Sequence, residues 1–317
     1  MSTKKFKAVS TKKVKTYSIK KRKSKVSASA LSLPHSSGGS FNGFLDSLPD
    51  VLAAKNLKAV SSAVIKAHQS GKVIALGIGA HVIKTGLSPL IIDLMERGIV
   101  SSISMNGACV IHDFELAYAG QTSEDVASEL KTGKFGMSEE TGKFINNAIT
   151  KGAKKGFGIG RSVGEMIEAS NFANKNLSIL GAAKRLGLAT TVHVAIGTDI
   201  IHMHPSMDGS ATGKASEVDF RLLTSVVGAL EGGVFINIGS AVIVREVFLK
   251  ALSLARNLKY KVNKFTTVNM DFIQHYRPAM NIVSRPTMTG GKGYALTGHH
   301  EIMVPLLFGA IIEGLGD

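Results

Sequence analysis

The sequence predicts an α/β protein with a doubly wound, mostly parallel sheet and helices on both faces. Three observations carry this expectation. Six short apolar segments are separated mostly by stretches of helical spacing, the pattern of strands joined by crossover helices. One of them, VIALGIG at 73–79, is a continuous apolar run, as expected of a strand buried on both faces. Polar residues collect directly after the segments, and in open α/β sheets ligands bind beyond the carboxyl ends of the strands.

Length and charge bound the rest. The chain has 317 residues, 44% of them hydrophobic, which is ample for one large domain or two. The net charge of +15 is concentrated in one place: residues 1–25 hold eleven Lys/Arg and no acid, leaving 27 basic against 23 acidic residues elsewhere. Residues 1–40 therefore read as a disordered Lys/Ser-rich basic tail that cannot bury enough apolar surface to order itself. Such a tail is either an arm for nucleic acid or an acidic partner, or simply solvated. Apolar runs are too short for a membrane span. The N-terminus lacks the apolar core of a secretory signal, and the single cysteine, Cys109, excludes an intrachain disulfide. A cytoplasmic protein without membrane contact is expected.

The elements follow in order from residue 41. Leu57, Val60, Val64 and Ala67 have helical spacing over 56–69, with Gly71 after them. The 73–79 strand precedes a helix over 87–97 with Pro89 in its first turn and Gly98 beyond its end. A strand at 99–105 ends at Asn106-Gly107, and a helix follows over 111–119. Residues 120–175 show helical patterns but no obvious strand, the mark of a mostly helical insertion. A helix over 178–186 leads to a strand at 190–196. Ser216-x-x-Asp219 resembles a capping box opening a helix to about 230. Strands at 233–238, 261–268 and 294–297 and helices over 244–258 and 301–313 complete the chain.

The strand ends hold seven of the ten histidines: His81, His112, His202, His204, His275, His299 and His300. The densest of these segments is 191–213, TVHVAIGTDIIHMHPSMDGSATG. His202-x-His204 with Asp199 and Asp208 has the residue types of a metal-assisted hydrolase; hydrogen bonding is the alternative. His193, on a strand, reads as a core or interface histidine. Cys109 is either a nucleophile near His112 or a small buried hydrophobe. Gly77-x-Gly79 and Gly158-x-Gly160 begin dinucleotide fingerprints, but Val82 and Val163 stand where the third glycine belongs. No P-loop motif is present.

Across roughly 57–315 the chain resembles the deoxyhypusine synthase family. Asn106-Gly107-Ala108-Cys109-Val110-Ile111-His112-Asp113 resembles the family's T-A-G-G-V-E-E-D, and Ala195-Ile196-Gly197-Thr198-Asp199 its P-A-L-T-D. Asn237-Ile238-Gly239-Ser240-Ala241-Val242 resembles I-L-G-G-G-V. Thr267-x-x-x-Asp271-Phe272 followed by Arg277-Pro278 resembles T-A-Q-E-F followed by R-P. The stretch 299–307, HHEIMVPLL, resembles D-A-S-L-V-F-P-L-L.

The resemblance implies a Rossmann-like fold, NAD as cofactor, and a homotetramer with sites between paired subunits. It also implies polyamine oxidation, with aminobutyl transfer through an imine on a lysine. Carried over position by position, it puts His81, Thr85, Asn106, Gly107, Thr198, Asp199, Gly239, Thr267 and His299 around the cofactor. The family's K-H-H run falls on Val244-Arg245-Glu246, and arginine does not form imines. Family acids fall on His204 and Met280, which removes the negative charge that would hold a polyamine. With Arg245, Arg277 and Arg285 near, a neutral or anionic ligand is expected.

The reading is thus an NAD-dependent, deoxyhypusine-synthase-like transferase of alkyl or aminoalkyl groups with altered donor and acceptor. His204 and Glu246 are the candidates for proton transfer, and Arg245 for orienting a small-molecule substrate. The alternatives are the metal-dependent hydrolase, or a catalytically inactive nucleotide-binding protein acting through its tail.

Overall fold

Six strands form one sheet in the order β3-β2-β1-β4-β5-β6, every pair parallel. They are β1 (Ile74–Ile78), β2 (Ser102–Asn106), β3 (Ala189–His193), β4 (Val234–Ile238), β5 (Thr266–Asp271) and β6 (Lys292–Thr297). The structure is a computed structural model that describes residues 5–316. Lys4 of the basic tail lies outside the described residues. Residues 5–29 are exposed and carry little beyond one-turn 3-10 segments at Ile19–Lys21 and Ala28–Ala30. The chain joins the body where Asp50 N donates to Ala30 O and Leu33 N to Ser47 O.

The helices are α1 (Phe41–Ser47), α2 (Leu52–Gln69), α3 (Ala80–Lys84), α4 (Ser88–Glu96), α5 (Gly107–Ala119), α6 (Val126–Glu129), α7 (Glu139–Lys154) and α8 (Ile159–Glu168). After them come α9 (Ile179–Leu186), α10 (Gly209–Gly228), α11 (Ile243–Asn257), the single turn α12 (Tyr276–Pro278) and α13 (His300–Leu315). Successive strand residues point to opposite faces, so the apolar runs divide between two cores. Ile74, Leu76 and Ile78 of β1 join Val234, Ile236 and Ile238 of β4 on the face that α2 and α13 cover. Ala75 and Phe235 face the other way, against α10 and α11, where Phe235 and Phe248 stack with centroids 4.0 Å apart. Gly77 belongs to that second face: a Cβ there would meet Val244 Cγ1 at 2.7 Å, so only glycine lets α11 close onto β1.

The expected strands are all present, with shifted bounds. The third stops at His193, because 194–198 turns away before a 3-10 turn at Ile200–Met203. The fifth lies at Thr266–Asp271 rather than 261–268. The segment 120–175 is helical, without a strand. Ser216-x-x-Asp219 is not a capping box. The helix starts two turns earlier, where the Asp208 side chain accepts from Ala211 N at 3.0 Å. Asp219 instead lies buried on that helix and takes Gly160 N at 3.0 Å and Val192 N at 2.9 Å, tying α8 and β3 to α10. Asp113 does similar work for α9, accepting from Ser178 Oγ, Ile179 N and Leu180 N.

Candidate functional site at the carboxyl edge of the sheet

β1 and β4 are neighbours, and connections leave them in opposite directions along the sheet, so the order reverses between them. At such a reversal the two outgoing loops part and leave a crevice at the carboxyl edge. Here the loops begin at Gly79 and Gly239. Gly79 N donates to Ile238 O at 2.9 Å, and a Cβ on Gly79 would lie 2.1 Å from Gly239 O. Gly239 has φ +63°, and a Cβ there would lie 2.9 Å from His300 Cε1. Both glycines are required by close approach, which neither spacing nor composition reveals.

Buried polar groups around this turn lack partners. His300 is 1% exposed, and neither ring nitrogen makes a hydrogen bond; Ser240 Oγ and Asn237 Oδ1 are also unpartnered. Buried polar atoms are normally satisfied, so a cluster of exceptions sets this turn apart. The turn itself is held by amides: Asn237 Nδ2 donates to Ser240 O at 3.1 Å and Asn269 Oδ1 at 2.7 Å, and Asn269 Nδ2 donates to Gln274 Oε1 at 2.8 Å. His300 Nε2 lies 3.8 Å from Asp271 Oδ1. Burial holds the imidazole below its usual pKa, although Asp271 pulls the other way. The His81 ring is 5.3 Å from that of His300, and Phe272 stands 6.1 Å from it and stacks over His299.

The two strands on the other side contribute Asn106, Gly107, Thr198 and Asp199. Asn106 ends β2 and caps α5 by accepting from Cys109 N at 3.0 Å. Asp199 rests on Gly107, where a Cβ would be 2.2 Å from its Oδ2. Its carboxyl closes a capping box with His202, and burial raises its pKa. Thr198 Oγ1 donates to Ala195 O at 2.7 Å. Asn106, Asp199, Gly239 and His299 thus share one edge of the sheet. With strands about 4.8 Å apart, Gly107 and Gly239 stand roughly 10 Å from each other across β1.

Other expected site residues are placed differently. Thr267 is the second residue of β5 and wholly buried, about four strand steps or roughly 13 Å from Asp271. The downstream shift of that strand moves it away from the edge. Thr85 closes α3, donating to His81 O at 2.9 Å. His204 is buried against Gly142, with Nε2 2.7 Å from Gly136 O, and so packs on the helical segment. Glu246 is bound by Lys250 at 2.7 Å and by Arg245, which hold its pKa below the usual range and keep it a carboxylate at neutral pH. Arg245 also donates to Ala241 O.

The metal-hydrolase alternative loses its geometry. Asp199 and Asp208 cap helices, His204 is engaged by Gly136, and His202 Nδ1 accepts from Gly197 N and Asp199 N. Among the described residues no three His, Cys, Asp or Glu side chains converge as metal ligands. Cys109 is buried, and desolvation pushes its thiol up, so it is no nucleophile. His112 lies within α5, its Nδ1 2.6 Å from Thr122 Oγ1. A hollow of about 980 Å³ is an open groove lined by α7 and α8, away from the strand ends. Its lining includes the exposed or half-exposed charges of Glu139, Lys143, Lys151 and Lys184, and it is remote from the reversal of strand order.

His193 is a core histidine as expected, 3% exposed. Thr191 Oγ1 donates to Ser104 Oγ at 2.9 Å, so the His193 Nε2–H donates to Thr191 Oγ1 at 2.9 Å, and the ring is neutral. Burial lowers its pKa to about 4. A depressed histidine stabilises the fold fully above its unfolded pKa of about 6.5 and loses that contribution as pH falls towards 4, about 3 kcal/mol in all. Urea midpoints measured from pH 7 to 4 should fall less steeply in His193→Gln than in the parent. Equal slopes would contradict this assignment.

No protein-family model matches the chain, and no curated protein does. Solved structures do. A conserved LOR/SDH protein from Methanococcus maripaludis S2 superposes with TM-score 0.53 at 16% identity, over 84% of this chain and 72% of that one. A deoxyhypusine synthase from Entamoeba histolytica superposes with TM-score 0.50 at 12% identity, over 87% and 94%. The ternary complex of AgrE with ornithine and NAD+ gives 0.50 at 14% identity, over 82% and 33%. The chain spans about a third of the length of AgrE and of the cyanobacterial arginine dihydrolase ArgZ. At these identities the likeness establishes the Rossmann-like fold alone. No described helix is long and apolar enough to cross a membrane.

Proposed function

We propose that the protein is an NAD-linked enzyme, a deoxyhypusine-synthase-like group transferase with a changed donor and acceptor. The dinucleotide would lie in the crevice between the loops after β1 and β4. The observation that carries this reading is the set of unpartnered, buried side chains His300, Asn237 and Ser240 around Gly239 at the reversal of strand order. The glycine contact at Gly79 and Gly239 suits the close backbone approach that a pyrophosphate needs. AgrE, which shares the fold, has been solved with ornithine and NAD+.

When bound, NAD supplies an acceptor for hydride. The chain's own residues would do the rest. His81 and His299 would flank the nucleotide with Phe272, while Asn106 and Gly107 leave room on the β2 side. Thr198 and Asp199 would bound the far end. His300, kept neutral by burial and faced by Asp271, offers a ring nitrogen to take a proton from the group being oxidised. This role fits His300 better than His204 or Glu246, whose polar atoms are engaged elsewhere.

Calorimetric titration with NAD tests the reading. Saturable binding is expected, weakened about tenfold in His300→Asn, the loss of roughly one hydrogen bond. Absence of binding, or equal affinity in the variant, would sink it.

A further inference from the structure

Beside the crevice, one carboxylate anchors four cations. Glu246 is paired with Arg245 and Lys250, and Arg277 Nη1 is 3.8 Å away. Asn281 Nδ2 donates to Glu246 Oε1 at 2.9 Å and accepts Arg285 Nη1 on its Oδ1 at 2.8 Å. Asn281 is carried by a π-helical segment, Ala279–Ser284, which fits it as the bridge between Glu246 and Arg285. π-turns of this kind occur often at functional sites. Arg245, Lys250, Arg277 and Arg285 against Glu246 leave three positive charges in excess.

The burial of one of these cations also points to a ligand. Arg245 is largely buried, and Arg277 adds repulsion to the desolvation that lowers its pKa. Arg277 and Lys250 remain well exposed, so Arg245 alone is drawn out of water, and an added anion would ease the like charge beside it. Arg245 also folds back onto Ala241 O, which holds its guanidinium at the start of α11 beside the other cations.

We infer that Arg245, Arg277 and Arg285 form a binding site for the oxyanion, carboxylate or phosphate, of a second small molecule that binds alongside the nucleotide. The substrate on this reading is an anion, not a polyamine. Arginine forks suit planar carboxylate and phosphate oxygens. The inference rests on the proposed NAD-linked function only in calling the second molecule a substrate. The anion site stands on the cluster itself.

The test is calorimetry at low ionic strength with inorganic phosphate, succinate and spermidine, repeated in saturating NAD. Phosphate or succinate is expected to bind, spermidine not, and NAD is expected to leave the anion affinity unchanged. Arg277→Gln, at an exposed position, should weaken anion binding, and the Arg277→Gln/Arg285→Gln pair should weaken it at least about tenfold. Thermal unfolding of each variant checks that the fold survives. Preferential spermidine binding, unchanged anion affinity in the double variant, or displacement of the anion by NAD would each overturn the inference. If NAD does not bind but arginine-dependent anion binding is seen, the proposed function fails and the anion site stands.

Discussion

Replacing Gly79 by alanine is expected to destabilise the protein by about 3 kcal/mol and to abolish NAD binding. The added methyl would sit 2.1 Å from Gly239 O and 2.7 Å from its carbonyl carbon. Those are backbone atoms at the end of a central strand, so no rotamer change relieves the overlap. Overpacking a tight interior typically costs about 1–3 kcal/mol, and backbone collisions fall at the upper end. Either β1 or β4 must shift, and the hydrogen bond from Gly79 N to Ile238 O shifts with it. Denaturant midpoints and calorimetry on the same preparation check both effects. A variant as stable as the parent, with NAD binding intact, would mean that the glycine contact is not what shapes the crevice.

Asp219→Ala is expected to cost about 3–5 kcal/mol. The Asp219 carboxyl accepts from Gly160 N and Val192 N. Each buried N–H left without a partner costs about 1–3 kcal/mol. Gly158 packs directly beneath, where a Cβ would meet Asp219 Oδ1 at 1.7 Å, so neither neighbour can close over the gap. Asp219→Asn keeps an acceptor and should lose less. Burial pushes the Asp219 carboxyl up to about 7. For a raised carboxyl, the stabilising contribution is complete below its unfolded pKa of about 3.8 and is lost as pH rises through 7. The asparagine variant should lack that decline. Urea denaturation of parent, alanine and asparagine forms at pH 5 and 8 measures all of this. A loss under about 1 kcal/mol in the alanine form would contradict the assigned role.

Asp219 also shows what the sequence hides. Its spacing from Ser216 imitates a capping box, yet the carboxyl serves residues 27 and 59 positions away along the chain. Local patterns report local bonds; they carry no trace of an acceptor that joins three elements across the fold. The strands were legible for the opposite reason. VIALGIG and GVFINI are apolar because both faces of the sheet are covered, and burial on both faces leaves a signature in composition. Their carboxyl ends were legible too, because His81, Asn106, Asp199 and His299 follow apolar runs directly.

The division of labour within that edge was not legible. His202, His204 and Asp208 look like ligands in the sequence, and each serves a local cap or packing contact instead. His300, Ser240 and Asn237 attract less notice, yet their buried polar atoms lack partners, as does Nε2 of His202. The available signal was Asn237 opposite Asn269, a polar pair in register within apolar strands, which the amide bonds to Ser240 and Gln274 then use. The resemblance puts Thr267 at the cofactor, and a strand over 261–268 would end beside it. The strand in fact begins at Thr266, which puts Thr267 at the wrong end.

Hydrogen–deuterium exchange of the full chain with and without NAD addresses the crevice itself. Protection confined to the loops after β1 and β4 and the start of α13, around 79–85, 239–245 and 298–303, is the expected result. Exchange unchanged there, or protection in the groove along α7 and α8 instead, would contradict a nucleotide seated at the reversal of the sheet.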